Sequence, residues 1–341
     1  MKKFLFLLLL SFFTLAFINC QKTKETSDGI NQDTIAIIKK DSLLPKAINA
    51  IDTVDYNRRI VALSNNDTTG RWPVKTPYPL PGALLPYHRI IAFYGNLYSK
   101  RMGVLGEYPR AEMISKLEAE VDKWQKADSS VIAIPALHYI AVTAQGAPGR
   151  DKMHRMRMDF KQIDTVISWA KPIKALVFLD IQVGHSTVKT EVVELERFLA
   201  LPNVHLGIDP EFSLKNGEIP GSKIGSFTAD DINDAIEILA KVVKENKLPP
   251  KVLVVHRFTQ GMVTNYKKIK TVPEVQVVMD MDGFGSKVLK RSTYNSYIFR
   301  EPVQFTGFKL FYKNDNWNNW TMYTPEELLN LTPKPSYIQF Q

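Results

Sequence analysis

Between residues 88 and 341 the chain alternates between two patterns. Short apolar runs rich in Val, Ile and Phe are separated by stretches with apolar residues at helical spacing. The apolar runs are RIIAFYG (89–95), VIAIPALHYIAV (131–142), ALVFLDIQVG (175–184), VHLGIDPEF (204–212), KVLVVHRF (251–258), VQVVMDMDG (275–283), VQFTGFKLFY (303–312) and SYIQFQ (336–341). Helical patterns lie between them. The clearest covers 228–247, with Thr228 as N-cap, Asp230 and Asp231 in the first turn and lysines in the last. Strands that alternate with helices predict a parallel sheet with crossover connections. Eight such units in about 250 residues predict the α/β class and a (β/α)8 TIM-like barrel. An open doubly wound sheet would call for a phosphate-binding glycine turn after the first strand, and YGNLYSKRMG is not one. The chain stops at strand eight, so the barrel lacks a final C-terminal helix. The segment before residue 88 is available to cover that gap.

The N-terminus has a different organisation. Lys2 and Lys3 precede an apolar run from Phe4 to Ile18, and Cys20 is followed at once by QKTKETSDG. This is export-signal organisation, too short for a spanning helix. LAFINC resembles a bacterial lipobox, which implies cleavage before Cys20 and lipidation of its thiol. The expected division is a signal peptide over 1–19, a lipid-anchored flexible tether over 20–69, a proline-rich extended segment over 70–87 and the barrel over 88–341. The third segment carries five prolines, which hold it extended. Cys20 is the one cysteine in the chain, so disulfides, thiolate metal sites and cysteine nucleophiles are excluded from the barrel. The net charge is +9, and two of those charges leave with the signal. In an exported, anchored chain, such a surface suits anionic envelope polymers or lipids rather than nucleic acid. The expected location is the bacterial cell envelope, on its periplasmic or surface face, held to the membrane through Cys20.

Side chains alternate faces along a strand. In strand four, His205, Gly207, Asp209 and Glu211 share the face turned into the barrel. Strand three places Leu176, Phe178, Asp180 and Gln182 there, and strand five Val252, Val254 and His256. Strand six contributes Val278, Asp280 and Asp282, strand seven Phe305 and Lys309, strand two His138, and strand one Tyr94. The inward faces thus change from apolar to ionisable towards the C-terminal ends, where barrels of this class carry their chemistry. Burying so many ionisable groups without partners is costly, so a shared cleft, with or without an ion pair of Lys309 to Asp280 or Asp282, is the economical arrangement.

Three functional readings follow. The first is glycan hydrolysis, which uses paired carboxylates. Glu211 is the expected general acid and Asp209 or Asp282 its partner, with Asp280 beside them. Tyr94, His138, Asp180, Gln182, His185, His256 and Lys309 are the expected substrate-binding groups. Trp317 and Trp320, in NDNWNNWTMY, are candidates to stack on sugar faces, or else to anchor their loop. No cofactor is needed. The second reading is a metal-dependent hydrolase or isomerase acting on a sugar-like substrate, with a divalent metal on Asp180, Asp209, His256 and Asp280. There is no H-E-x-x-H, and His88 lies at the wrong end of strand one to serve such a site. The third is an anchored lipoprotein that binds a glycan without turning it over. Long glycine-bearing loops, FSLKNGEIPGSKIGSF (212–227) and TAQGAPGRDKMHR (143–155), suit a ligand site under any of the three.

GIDPE and VMDMDGFG loosely resemble the strand endings of barrel glycosidases, chitinase-like ones among them. The longer D-x-x-D-x-D-x-E pattern is absent, because Gly207 stands two residues before Asp209. Over residues 88–341, the stretches YGNLYSKRMGVLGEYP, LDIQVGHSTV, GIDPEF, MDMDGFGS and TGFKLFY resemble an uncharacterised family of bacterial exported and lipoprotein barrels. That resemblance implies the barrel and the envelope location. It brings no activity and no assigned catalytic residues.

Overall fold

The computed structural model describes residues 50–341. The export signal, Cys20 and the first part of the tether lie outside the described residues.

Eight strands build the barrel: β1 (His88–Gly95), β2 (Ile132–Ala144), β3 (Leu176–Ile181), β4 (Val204–Ile208), β5 (Lys251–Arg257), β6 (Val275–Met281), β7 (Phe305–Leu310) and β8 (Tyr337–Phe340). Each pairs in parallel with the next, and β8 pairs with β1, so the sheet closes. Closure removes both free edges. The strands are largely apolar on both faces at their lower ends because one face meets helices and the other fills the interior, with Arg89, His205, Lys251 and Gln276 as buried polar exceptions. A short strand, Arg155–Arg157, adds an antiparallel pairing to the top of β2.

Among the described residues seven α-helices have five or more residues: α1 (Thr53–Leu63), α2 (Arg110–Ala127), α3 (Phe160–Ala170), α4 (Val188–Glu194), α5 (Ala229–Asn246), α6 (Lys287–Thr293) and α7 (Pro325–Leu329). The helix predicted over 228–247 begins where expected. Thr228 and Asp231 form a reciprocal capping box, and Lys247 ends the helix in the left-handed region. Its buried stripe includes Ile232, Ile236, Leu239 and Val243, spaced three and four apart on the face turned to the sheet. In α2 the buried residues Met113, Leu117, Glu120 and Trp124 follow the same spacing.

Two expectations about the N-terminal segments change. Residues 50–69 were expected to belong to the tether. Instead α1, capped by Asp52, docks on the barrel with Tyr56 buried against Tyr78 and Tyr87. The apolar periodicity of TVDYNRRIVAL gives it a face to bury. Residues before 88 were also expected to replace the missing last helix. They close the base instead. Leu85 is fully buried in the cluster that fills the lower interior, with Ile90, Leu176, Val252 and Phe305, and Ile60 and Leu63 pack against that cluster from below. Gln276 fixes this plug: its side-chain oxygen accepts from the backbone amides of Leu84 and Leu85, each at 3.1 Å, and its amide donates to the Leu85 carbonyl at 2.6 Å. On the outer side of β8, Tyr312 covers part of the helix-free flank, stacked on Phe340 at 5.3 Å and edge-on to Phe93 at 6.3 Å.

Candidate functional site

The interior changes character as the alternation predicts. Above the apolar layers lie Tyr94, His138, Asp180, His256 and Asp280, and above these Gln182, Asp209, Asp282 and Lys309. Two glycines make room for them. A Cβ on Gly207 would stand 2.5 Å from Asp180 Oδ1 and closer still to His138 Nε2. One on Gly307 would stand 2.5 Å from Asp280 Oδ1. Small residues on β4 and β7 therefore let large polar side chains from β2, β3 and β6 meet near the barrel axis.

The upper layer lines a cavity of about 680 Å³ at the C-terminal rim. Tyr94, Gln182, Asp209, Glu211, Asp282 and Lys309 all face it. Asp282 and Lys309 form an ion pair at 2.9 Å, and the lysine ammonium also sits over the Tyr94 ring, 4.0 Å from its centroid. Gln182 is held by the backbone amide of Ala144, which donates to its side-chain oxygen at 3.1 Å.

Glu211 is not on the strand. β4 ends at Ile208, and Pro210–Phe212 form a one-turn 3-10 helix. Asp209 caps that turn, its Oδ1 accepting from the Glu211 backbone amide at 3.0 Å. The turn swings the Glu211 carboxyl to the cavity wall, half-buried, with no ion-pair partner among the described residues. Burial first, then the charge of Asp282, hold its pKa above the usual carboxylate range, while Lys309 and His256 pull the other way. Burial also pushes Asp282 up, but Lys309 and then His256 outweigh it, so that carboxyl titrates below the usual range. Asp209 is pushed well above its ordinary value by burial, with Asp180, Asp282 and Glu211 adding to it against His256.

Asp280 is not in the cavity wall. Two residues before Asp282, it lies roughly 6.6 Å further down the strand. There it is fully buried, with Oδ2 3.2 Å from His256 Nδ1. His138, Asp180 and His256 share that lower layer. The metal set expected on Asp180, Asp209, His256 and Asp280 is not what converges. Asp209 turns to its own capping contact, Asp280 meets the far nitrogen of His256, and the third partner of Asp180 and His256 is His138.

Three further candidates stand apart. His185 lies four residues past the end of β3, where its Nε2 meets the Glu218 carbonyl at 2.7 Å and its ring packs 4.5 Å from His154. It braces the 212–227 loop and is not in the cavity wall. Trp317 is 69% exposed and packs edge-on against Trp320 at 6.3 Å. Neither ring lines the cavity, whose aromatic wall is Phe212, Phe258, Phe284 and Phe311 beside Tyr94. Sequence reasoning also passed over Tyr337 and Gln339. Their alternation on β8 is the same signal used on the other strands, and they complete the polar layer: Gln339 donates to the Tyr337 hydroxyl at 2.8 Å.

No family model matches the chain, and no curated protein matches it. Among solved structures it is similar to the cellulase Cel5C_n, with 14% identity, 69% of each chain covered and a TM-score of 0.40. It is also similar to the mannanase man26 of Bacillus subtilis, with 11% identity, 88% of each chain and a TM-score of 0.39. A class V chitinase from Nicotiana tobaccum follows, with 8% identity, 66% of this chain, 67% of that one and a TM-score of 0.36. The strand pairing by itself defines the class: an eight-stranded parallel barrel with an acidic cavity at its C-terminal rim.

Proposed function

We propose that this chain is a cell-envelope lipoprotein that hydrolyses a glycan in the rim cavity, with Glu211 as general acid and Asp282 as its ionised partner. The observation that carries this reading is the pair of carboxylates on one cavity wall in opposite environments. Asp282 is held against a lysine. Glu211 is half-buried and has no cation paired to it. Two carboxyls whose surroundings push them apart divide acid and base roles between them. The protonated Glu211 donates to the leaving oxygen as the glycosidic bond breaks. Asp282 stabilises positive charge at the sugar carbon, or attacks it, or activates water, according to the distance between the two carboxyls. Lys309 holds Asp282 ionised and oriented. The rings of Phe258, Phe284 and Phe311 offer apolar faces to sugar C–H groups, and Gln182 and Tyr94 offer polar contacts below. The lipid anchor on Cys20 and the envelope location complete the proposal and rest on the lipobox-like N-terminus.

The test is a screen of envelope and storage glycans with the mature protein, with Glu211→Gln and Asp282→Asn alongside. Each substitution is expected to lower kcat on a cleaved glycan by about 10²–10⁴-fold, the usual contribution of a positioned acid or base, while leaving the protein folded. Cleavage that survives both substitutions overturns the assignment. Binding without cleavage by the wild type would make the chain a glycan-binding protein instead.

A further inference from the structure

Below the cavity wall, the side chains of His138, Asp180 and His256 converge, all three with no exposed surface. One ligand atom from each lies within 4.8 Å of the other two. His138 Nε2 stands 3.3 Å from Asp180 Oδ1, and His256 Nε2 stands 3.4 Å from the same oxygen. None of these three atoms makes a well-aligned hydrogen bond, although both nitrogens stand at ion-pair distance from the oxygen. A buried polar atom without a well-aligned partner is costly, and here three of them converge. A tetrahedral ion with bonds of about 2.0–2.1 Å to nitrogen and oxygen separates its donor atoms by about 3.3 Å. The two nitrogen-to-oxygen spacings match that edge length, and the two nitrogens lie within 4.8 Å of each other.

The surroundings of the three residues have the form that metal ligands need. The other nitrogen of each imidazole faces an acceptor: His138 Nδ1 meets the Tyr337 hydroxyl at 2.5 Å, and His256 Nδ1 lies 3.2 Å from carboxylate oxygens of both Asp280 and Asp282. The second oxygen of Asp180 accepts from the Tyr94 hydroxyl at 3.0 Å. Such contacts set the tautomer and ring orientation of a ligating histidine. Charge points the same way. Asp180, Asp280 and Asp282 crowd this region, and among the described residues Lys309 is the one lysine paired with any of them.

We infer that His138, Asp180 and His256 form a binding site for a divalent transition-metal ion, with zinc the best match to two imidazole nitrogens and one carboxylate oxygen. Magnesium and calcium, which take oxygen ligands, do not suit it. The ion lies one side-chain layer beneath the cavity. It offsets the carboxylate charge there and holds His256 with Nδ1 as donor towards Asp280 and Asp282. Gly207 is required beside it, since a Cβ at that position would crowd two of the three donors. The inference rests on the geometry of the lower layer and not on glycan hydrolysis.

The experiment uses the full mature chain, stripped with chelator under mild denaturation, refolded and titrated with Zn²⁺ against a chromophoric competitor. The expected result is about one Zn²⁺ per chain, with a rise in Tm on loading. His138→Ala and Asp180→Ala are expected to lose that equivalent. Tyr337→Phe is expected to bind 10–100-fold more weakly, the usual effect of removing an outer-shell partner. His185→Ala removes the half-buried histidine that packs against His154, outside this cluster, and is expected to retain the equivalent. Where the alanine variants fail to fold, Co²⁺ substitution of the wild type decides: intense visible bands of a tetrahedral site are expected. Failure of the wild type to take up Zn²⁺ or Co²⁺ overturns the inference, as does uptake unchanged in folded His138→Ala. Metal held without any glycan cleaved would leave this site standing and sink the hydrolase reading. Cleavage by a chain that takes up no metal would do the reverse.

Discussion

At the scale of single residues, the site depends on where charge is compensated. Lys309 faces Glu211 and Asp282 together, with Asp209 and His256 alongside. Its positive charge lowers the Glu211 pKa against burial and Asp282. Removing it in Lys309→Met should therefore raise that pKa further. An acid that must be protonated to act then stays active to higher pH, so the alkaline limb of kcat/KM moves up. A limb that stays in place or moves down would show that Glu211 is not the titrating acid. Much at this scale was legible in advance. Strict alternation put Tyr94, Asp180, Gln182, His256, Asp282 and Lys309 on inward faces without any knowledge of pairing. What alternation leaves out is depth. Which layer a residue occupies depends on the stagger between strands, a property of two strands at once. That is why Asp280 looked equivalent to Asp282, and why the meeting of His138 with Asp180 was missed.

At the scale of elements, the rim is held by buried ion pairs that reach between segments. Glu191 of α4 has no exposed side-chain surface and binds Arg155 at 2.8 Å and Arg157 at 2.7 Å, both from the short strand beside β2. Burial raises its pKa, but Arg157, Ser186 and Arg155 outweigh this and hold it below the usual range. A carboxyl with a depressed folded pKa adds stability above its unfolded pKa, and loses it as pH falls through the folded one. Glu191→Gln should cost about 1–3 kcal/mol at neutral pH, because two arginines lose their buried carboxylate while Arg155 keeps Asp151 and Arg157 keeps Glu194. Part of the acid sensitivity of unfolding should vanish with it. Chemical denaturation from pH 3 to 7 checks both, and a variant with the wild-type midpoint throughout would refute them. Elsewhere on the same rim, Lys290 of α6 is buried against Asp315 and donates to the Lys309 carbonyl at 2.8 Å. This tie anchors the β7–β8 loop, on which Trp317 is exposed. Loop tryptophans read from sequence alone carry no direction, so their place outside the cavity could not be foreseen. Helix starts were clearer, because a capping box is a local pattern that survives packing.

For the whole molecule, the barrel is stoppered at its base by its own preceding chain. Leu85 and Gln276 make that stopper. Leu85→Ala leaves a hole in the lower interior and should cost about 2–5 kcal/mol, read from the denaturation midpoint. A cost below about 1 kcal/mol would mean that the segment merely lies on the surface. The docking of α1 was hidden in a polar stretch, because a helix of 11 residues gains its stability from the surface it meets and not from its own sequence. With the base sealed from below, the cavity opens at the far end of the strands. Any ligand of the carboxylates must therefore enter and leave by the C-terminal rim, because the lower interior is filled by Leu85 and its neighbours.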